Sequence, residues 1–384
     1  GGRGRGTTKI AEMSFRHNDD GGASDWWSVT PLPVGFTVKN VENISITTNG
    51  AVGTAAGTAF DVSTTAGLTS LVAIAAGAGT ANGSNIKAAA TTDVAVTVSG
   101  ANTADVAGGK SVKITAGTGA VSATGSALTS VNVTKGGAAT IDNTDAAGTT
   151  SVGTTLTAVT LGNDANSAVK GKAIATIDLS GQGAGGTART ITVTNSTASH
   201  ALTVNANGTG YQNNAAATEK QTVVTDAAAT ALTVNTSAKS SIDASNSTAV
   251  KAVTLTGAGA LTFAPMGAAA VSIDGSAATG NLTLGTLNAA AVTVKTGAGA
   301  DTLTLQATAK ATVDTGAGND SLTLGAILAA GSSVNLGAGD DVLLGTSIPA
   351  ASTATSVTAI DGGDGVDAVA STLINAGNAA QFKN

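Results

Sequence analysis

Apolar and small polar residues alternate in short runs along nearly the whole chain. Val94–Val98 reads VAVTV, Ile191–Val193 reads ITV, Leu202–Val204 reads LTV, and Leu303–Leu305 and Leu322–Leu324 both read LTL. Val112–Ile114, Val131–Val133, Val159–Leu161, Leu232–Val234, Val253–Leu255, Val271–Ile273, Leu282–Leu284 and Val292–Val294 repeat the pattern, and Val38–Ile46 is its longest stretch. A period of two is the signature of a strand with one face in a core, and the Gly, Ala, Asn, Asp and Ser clusters between the runs read as turns. A second echo is an Ile/Val-Asp step at a strand end. It falls at Asp142, Asp178, Asp243, Asp274, Asp314 and Asp361, and the last four are separated by 31, 40 and 47 residues. Unequal loops must therefore interrupt a repeating unit.

Many short strands with recurrent turns predict an all-β chain. The architecture expected is a β-solenoid (β-helix or β-roll), in which each strand pairs with one coil above and one below. A string of β-sandwich modules is the alternative. Sandwich cores call for larger apolar residues and strands nearer about five or six residues. Ala, Val and Thr suit a thin coil, in which Phe and Trp are not expected to fit.

Composition sharpens this picture. Aromatic residues are 2% and charged residues 11% of the 384, so packing relies on small side chains. The strand alternation and a mean hydropathy of +0.24 argue against a disordered chain despite 51 glycines. A net charge of −6, with no basic cluster beyond Arg3 and Arg5, disfavours nucleic acid. The absence of cysteine removes disulfides and thiol chemistry, and no apolar run is long enough for a transmembrane segment.

The chemistry concentrates near the C-terminus. Gly297-Ala298-Gly299-Ala300-Asp301-Thr302-Leu303, Gly316-Ala317-Gly318-Asn319-Asp320-Ser321-Leu322, Gly337-Ala338-Gly339-Asp340-Asp341-Val342-Leu343 and Gly363-Asp364-Gly365-Val366-Asp367-Ala368-Val369 follow one another. Each fits the calcium-binding nonapeptide G-G-x-G-x-D-x-U-x, with the leading glycine kept only as Gly362 and replaced by Thr296, Thr315 and Leu336 in the others. Ca²⁺ takes about six to eight oxygens, which a glycine-rich turn supplies as carbonyls and an Asp supplements with charge. The apolar residue two positions on is expected to point the opposite way, into the core. Intervals of 19, 21 and 26 residues between successive Asp residues place the turns on one edge of a stack. Four turns there offer up to three sites between neighbours.

Over residues 293–370 the chain resembles the RTX family of calcium-binding β-roll proteins. The half-coils between its motifs, QATAKATVDT and GAILAAGSSVNL, lack the nonapeptide, so ions are expected on one edge only. The Ala/Thr/Gly-rich remainder, with phrases such as LPVGFTVKNVENISI, resembles bacterial surface-layer proteins and large adhesins exported by type I secretion. The resemblance implies a structural, non-enzymatic protein at the bacterial cell surface, folded with Ca²⁺ and self-associating into a lattice or filament. A polysaccharide anchor would lie in regions outside this chain. The stalk of a secreted adhesin is the alternative role.

The chain divides by character into a cap or junction (1–48, with Trp26, Trp27, Pro31 and Pro33), an irregular solenoid (49–290), the motif-bearing roll (291–370) and the start of a further repeat (371–384). In the last, Gln381-Phe382-Lys383-Asn384 echoes Phe36-Thr37-Val38-Lys39-Asn40. The two histidines, His17 and His200, have no Ser or carboxylate partner at motif spacing, so neither a triad nor a zinc site is expected. Gly181–Gly186 carries a GxGxxG-like string without a following helix, and Asp142, Asp145, Asp178, Asp243 and Asp274 lack the GxG and read as turn or strand-edge residues.

Overall fold

The computed structural model describes residues 10–16, 41–53, 58–77, 83–144, 153–181, 188–210, 220–264, 272–287, 292–306, 310–325, 328–329, 331–345, 359–374 and 379–383. The Trp pair, His17, Asp145 and most of the GxGxxG-like string lie outside these residues. The described residues form strands and two single-turn 3-10 helices, Ser371–Leu373 and Ala379–Gln381, with no α-helix. The expected all-β solenoid is the fold observed. The chain comprises two units, residues 1–174 and 175–384.

Within each unit, from Val41–Thr48 onward, successive described strands fall alternately into two sheets, and the strands of each sheet pair in parallel with one another. In the first unit one sheet runs through Val41–Thr48, Ser70–Ala75, Asp93–Val98, Ser111–Thr115, Ser130–Lys135 and Ala158–Leu161. Ile10–Arg16, within the stretch read as a cap, pairs in parallel with Val41–Thr48 and so begins this sheet. The register aligns Val94, Val112, Val131 and Val159 in one buried column and Val96, Ile114, Val133 and Leu161 in another. The opposite sheet answers with Ile86, Val106, Ala123, Ile141 and Val169. Alternation has this consequence because a strand directs successive side chains to opposite faces, and in-register stacking repeats that choice at each coil.

The second unit repeats the scheme. Leu202, Leu232, Val253, Ile273, Val294, Val313, Val334 and Ile360 stack on one sheet. Ile242, Phe263, Leu284, Leu303, Leu322, Leu343 and Val369 stack on the other. Phe60 and Phe263 are both fully buried, against the expectation that the coil excludes Phe. Each takes the inward place held by Ile or Leu in adjoining coils, where one ring extends the apolar column without a second ring beside it.

Buried polar side chains hold the turns to one another. Asn102 donates to the carbonyls of Gly77 (3.1 Å) and Ser99 (2.7 Å), Asn143 to that of Gly125 (2.8 Å) and Asn163 to that of Gly137 (2.8 Å). These amides satisfy carbonyls that the sheet ladders do not reach.

Candidate functional site

The four GxGxD turns each carry the chain from one sheet of the second unit to the other. Asp301 follows the strand Val292–Lys295 and precedes Thr302–Leu305; Asp320 lies between Ala311–Asp314 and Ser321–Leu324. Asp341 lies between Ser333–Asn335 and Val342–Gly345, and Asp367 between Ala359–Asp361 and Ala368–Val369. The turns are stacked in register, with parallel bridges joining Ala317 to Ala338 and Ala338 to Asp364. Amides of one turn donate to carbonyls of the turn before: Ala317 to Gly297 at 2.8 Å, Ala338 to Gly316 at 2.9 Å and Asp364 to Gly337 at 2.7 Å. Such close stacking requires glycine. Gly318 has φ +125, and a Cβ there would collide with the carbonyl oxygen of Gly299 one coil away.

The glycine pair belongs to the turn rather than to the acidic residue. Register places Leu282 one coil before Asp301 and Leu261 one coil before that, in the turns Ala278-Thr279-Gly280-Asn281-Leu282 and Gly257-Ala258-Gly259-Ala260-Leu261. Both leucines are buried. The aspartates thus occupy an inward position that earlier coils fill with an apolar side chain. Asp301, Asp320 and Asp341 are at most 1% exposed, and Asp367 is half-buried in the last coil. The expectation that the apolar residue two places on points away from the Asp is corrected: Asp301 and Leu303 are both buried while Thr302 between them is exposed. Residues two apart on an extended chain share a face.

The buried carboxylates form a ladder. Asp301 Oδ1 accepts the N–H of Leu282 at 2.7 Å and its Oδ2 that of Gly297 at 3.2 Å. Asp320 Oδ1 accepts the N–H of Asp301 at 2.8 Å, Asp341 Oδ1 that of Asp320 at 2.7 Å, and Asp367 Oδ1 that of Asp341 at 3.1 Å. Asp320 Oδ2 and Asp341 Oδ2 are buried with no hydrogen-bond partner among the described residues. No lysine or arginine among those residues pairs with any of the four aspartates. Burial pushes the Asp320 carboxyl up to about 7. The N–H of Asp301 and the nearby Thr315 hydroxyl, which donates to the Leu336 carbonyl, oppose that shift, while the charges of Asp301 and Asp341 add to it. Burial likewise raises Asp301, against the N–H groups of Leu282 and Gly297, and raises Asp341, where the charges of Asp367 and Asp340 contribute.

An ionised carboxylate with a bare buried oxygen is costly unless a positive charge accompanies it. The donors at this edge are carboxylate and carbonyl oxygens, the set that a hard cation such as Ca²⁺ takes, so the residues present fit that ion. Among the described residues no three His, Cys, Asp or Glu side chains converge on one point, so the fit depends on backbone carbonyls as well as on the Asp ladder.

A second ladder beside the first was not read from the sequence. Asn281 Oδ1 accepts the N–H of Ala300 at 3.2 Å, Asn319 Oδ1 that of Asp340 at 3.0 Å, and Asp340 Oδ1 that of Val366 at 2.9 Å. Its signal is the Asn or Asp that precedes the inward residue in GNL, GND and GDD. Thr296 and Thr315, in place of the leading glycine, are buried and donate to the carbonyls of Thr315 (2.7 Å) and Leu336 (2.5 Å).

The other acidic residues hold strand edges and turns. Asp142 pairs with Lys170 at 3.4 Å, Asp178 accepts from Asn205 at 2.6 Å, Asp243 caps the N–H of Ser245 at 2.8 Å, and Asp274 accepts from the N–H and hydroxyl of Ser276. His200 does have a carboxylate partner, 26 residues on: Nε2 lies 2.8 Å from Asp226 Oδ2, and Nδ1 lies 2.8 Å from the carbonyl of Thr197. Both ring nitrogens are thus engaged.

No family model, curated protein or solved structure matches this chain.

Proposed function

We propose that this chain is a structural subunit of an extracellular bacterial surface assembly, S-layer-like, which folds and assembles on binding calcium along Asp301, Asp320, Asp341 and Asp367. The observation that carries the reading is the pair of buried oxygens, Asp320 Oδ2 and Asp341 Oδ2, that lack a hydrogen-bond partner in a column of carboxylates without basic partners among the described residues. Bound calcium supplies the positive charge that this edge otherwise lacks. The four carboxylates and the carbonyls of the glycine turns would hold it. The ladder itself fixes where those carboxylates sit, because each one is anchored through Oδ1 to a backbone N–H.

The same residues make folding conditional. In a calcium-poor cytosol the stacked carboxylates oppose formation of their own coils, which keeps the chain competent for type I export. Outside the cell, binding free energy becomes folding free energy. The resemblance of the motif-bearing coils to RTX proteins, and of the Ala/Thr/Gly-rich remainder to surface-layer proteins, supports the cell-surface setting. No catalytic role is proposed. The test of assembly is electron microscopy of the chain after folding in millimolar calcium. Ordered sheets or filaments are the expected result; uniformly single, well-folded particles would overturn assembly and favour an adhesin stalk.

A further inference from the structure

On the edge opposite the GxGxD column, one turn of the second unit carries a strained residue. Ser199, at φ +58, is the only non-glycine residue among those described with a left-handed backbone. It lies between the strands Thr190–Asn195 and His200–Asn207, where the chain crosses back from one sheet to the other. A serine in that conformation persists only where surrounding contacts hold it. Residues 196–199 are exposed, so burial does not hold this turn, and its contacts are polar. The N–H of Thr197 donates to Asn195 Oδ1 at 2.8 Å, and the His200 ring spans from the carbonyl of Thr197 to Asp226 Oδ2, at 2.8 Å on each nitrogen.

Both partners of the ring are acceptors. A carbonyl oxygen only accepts, so Nδ1 donates to Thr197. Asp226 Oδ1 is occupied by the N–H groups of Ala228 and Ala229, at 3.1 Å each, which leaves Oδ2 for Nε2. The two ring contacts therefore require two protons shared between imidazole and carboxylate. With one proton, an acceptor faces an acceptor at one end of the ring. The side chains are 9% and 1% exposed, so water has little room to relieve that repulsion. Asp226 is fixed independently, because its N–H donates to Ser247 Oγ at 3.0 Å and that hydroxyl donates to the carbonyl of Val224. His200 pairs in register with Ala229, so Asp226 belongs to the turn of the next coil.

Asp226 is the one charged group among the described residues that meets the ring. On the neighbouring strands and turns of this unit, Asp178 accepts from Asn205, Arg189 donates to the carbonyl of Ser180, and Asp243 caps Ser245. Lys239 and Lys251 are exposed, and Lys220 lies at the far end of the strand Thr222–Thr225 from Asp226.

We propose that His200 and Asp226 form a proton-dependent latch, which closes the strained turn at Ser199 onto the Asp226–Ala229 turn of the next coil and opens when the pair gives up one of its two protons. This edge then tightens in acid and loosens in alkali, independently of the carboxylate ladder on the other edge.

Denaturant unfolding of the full chain in saturating calcium tests the inference, each variant being read as its folding constant relative to the native chain at the same pH, so that groups common to both cancel. An ordinary histidine, with a pKa of about 6.5, carries both protons at about pH 5 and one at about pH 9. His200→Gln offers Asp226 a neutral donor that does not titrate. The advantage of the native chain over it should shrink about ten-fold or more from the lower pH to the higher, the weight of a hydrogen bond to a charged group. Asp226→Asn presents an N–H to Nε2 and so suits the ring with one proton; its folding constant relative to native should rise over the same interval. In the native chain itself, the hydrogen-exchange protection of the Ala228 and Ala229 amides should fall at least several-fold relative to that of Val253. A native advantage over His200→Gln that is constant or grows with pH, or amide protection that keeps pace with Val253, would overturn the latch.

Discussion

The backbone N–H of Asp301 donates to the carboxylate of Asp320, 2.8 Å away and one coil on. Repeated at the next two steps, this contact links the acidic residue of each turn to its neighbour through Oδ1 and leaves Oδ2 of Asp320 and Asp341 bare. The result is an ordered column of charge at a place where Leu261 and Leu282 pack as hydrocarbon.

That substitution pattern yields a direct prediction. Asp320→Leu should leave the stability of the chelator-treated protein within about 1–2 kcal/mol of native, because relief of an uncompensated buried carboxylate offsets the loss of the acceptor for the N–H of Asp301. It should also reduce the calcium bound. Thermal unfolding in chelator and equilibrium dialysis check the two halves.

Asp301, Asp320 and Asp341 all hold their protons more tightly in the folded chain than an exposed Asp at about 3.9 does. A raised folded-state pKa contributes stability that is complete below the unfolded value and is lost as pH rises through the folded one. In chelator, stability should therefore fall between about pH 4 and the Asp320 value of about 7. Saturating calcium should abolish or reverse this trend, as denaturant unfolding across that range would show.

Gly318→Ala tests the stacking of the turns. Its φ of +125 and the carbonyl of Gly299 both oppose a Cβ, so the variant should lose more than about 1 kcal/mol of stability. Its midpoint for calcium-induced folding should move to higher calcium.

His200 serves as a control away from the ladder. His200→Ala removes the ring donor facing Asp226 Oδ2, in a carboxylate whose other oxygen accepts the N–H groups of Ala228 and Ala229. A loss of about 1–3 kcal/mol is expected with calcium stoichiometry unchanged, measured by the same unfolding and dialysis assays.

The alternation in segments such as Val94–Val98 made the solenoid legible, because a period of two becomes a buried column once coils stack in register. The four GxGxD strings were legible for a related reason: glycine marks where backbones approach, and spacing near one coil places the turns together. The orientation of Asp301 was misjudged because a turn motif does not show where its strand begins; the residue belongs to the extended phase that also buries Leu303. The pairing of His200 with Asp226 and the Asn102, Asn143 and Asn163 contacts depend on which coils become neighbours. Irregular loop lengths conceal that from any local pattern.

The carboxylate ladder is proposed to make folding depend on calcium. Titrating Ca²⁺ into the chelator-treated chain while recording far-ultraviolet circular dichroism tests it most directly. A cooperative gain of β signal is expected, which Asp301→Asn/Asp320→Asn/Asp341→Asn should displace or remove. A full β spectrum in chelator, unchanged by calcium, would contradict it.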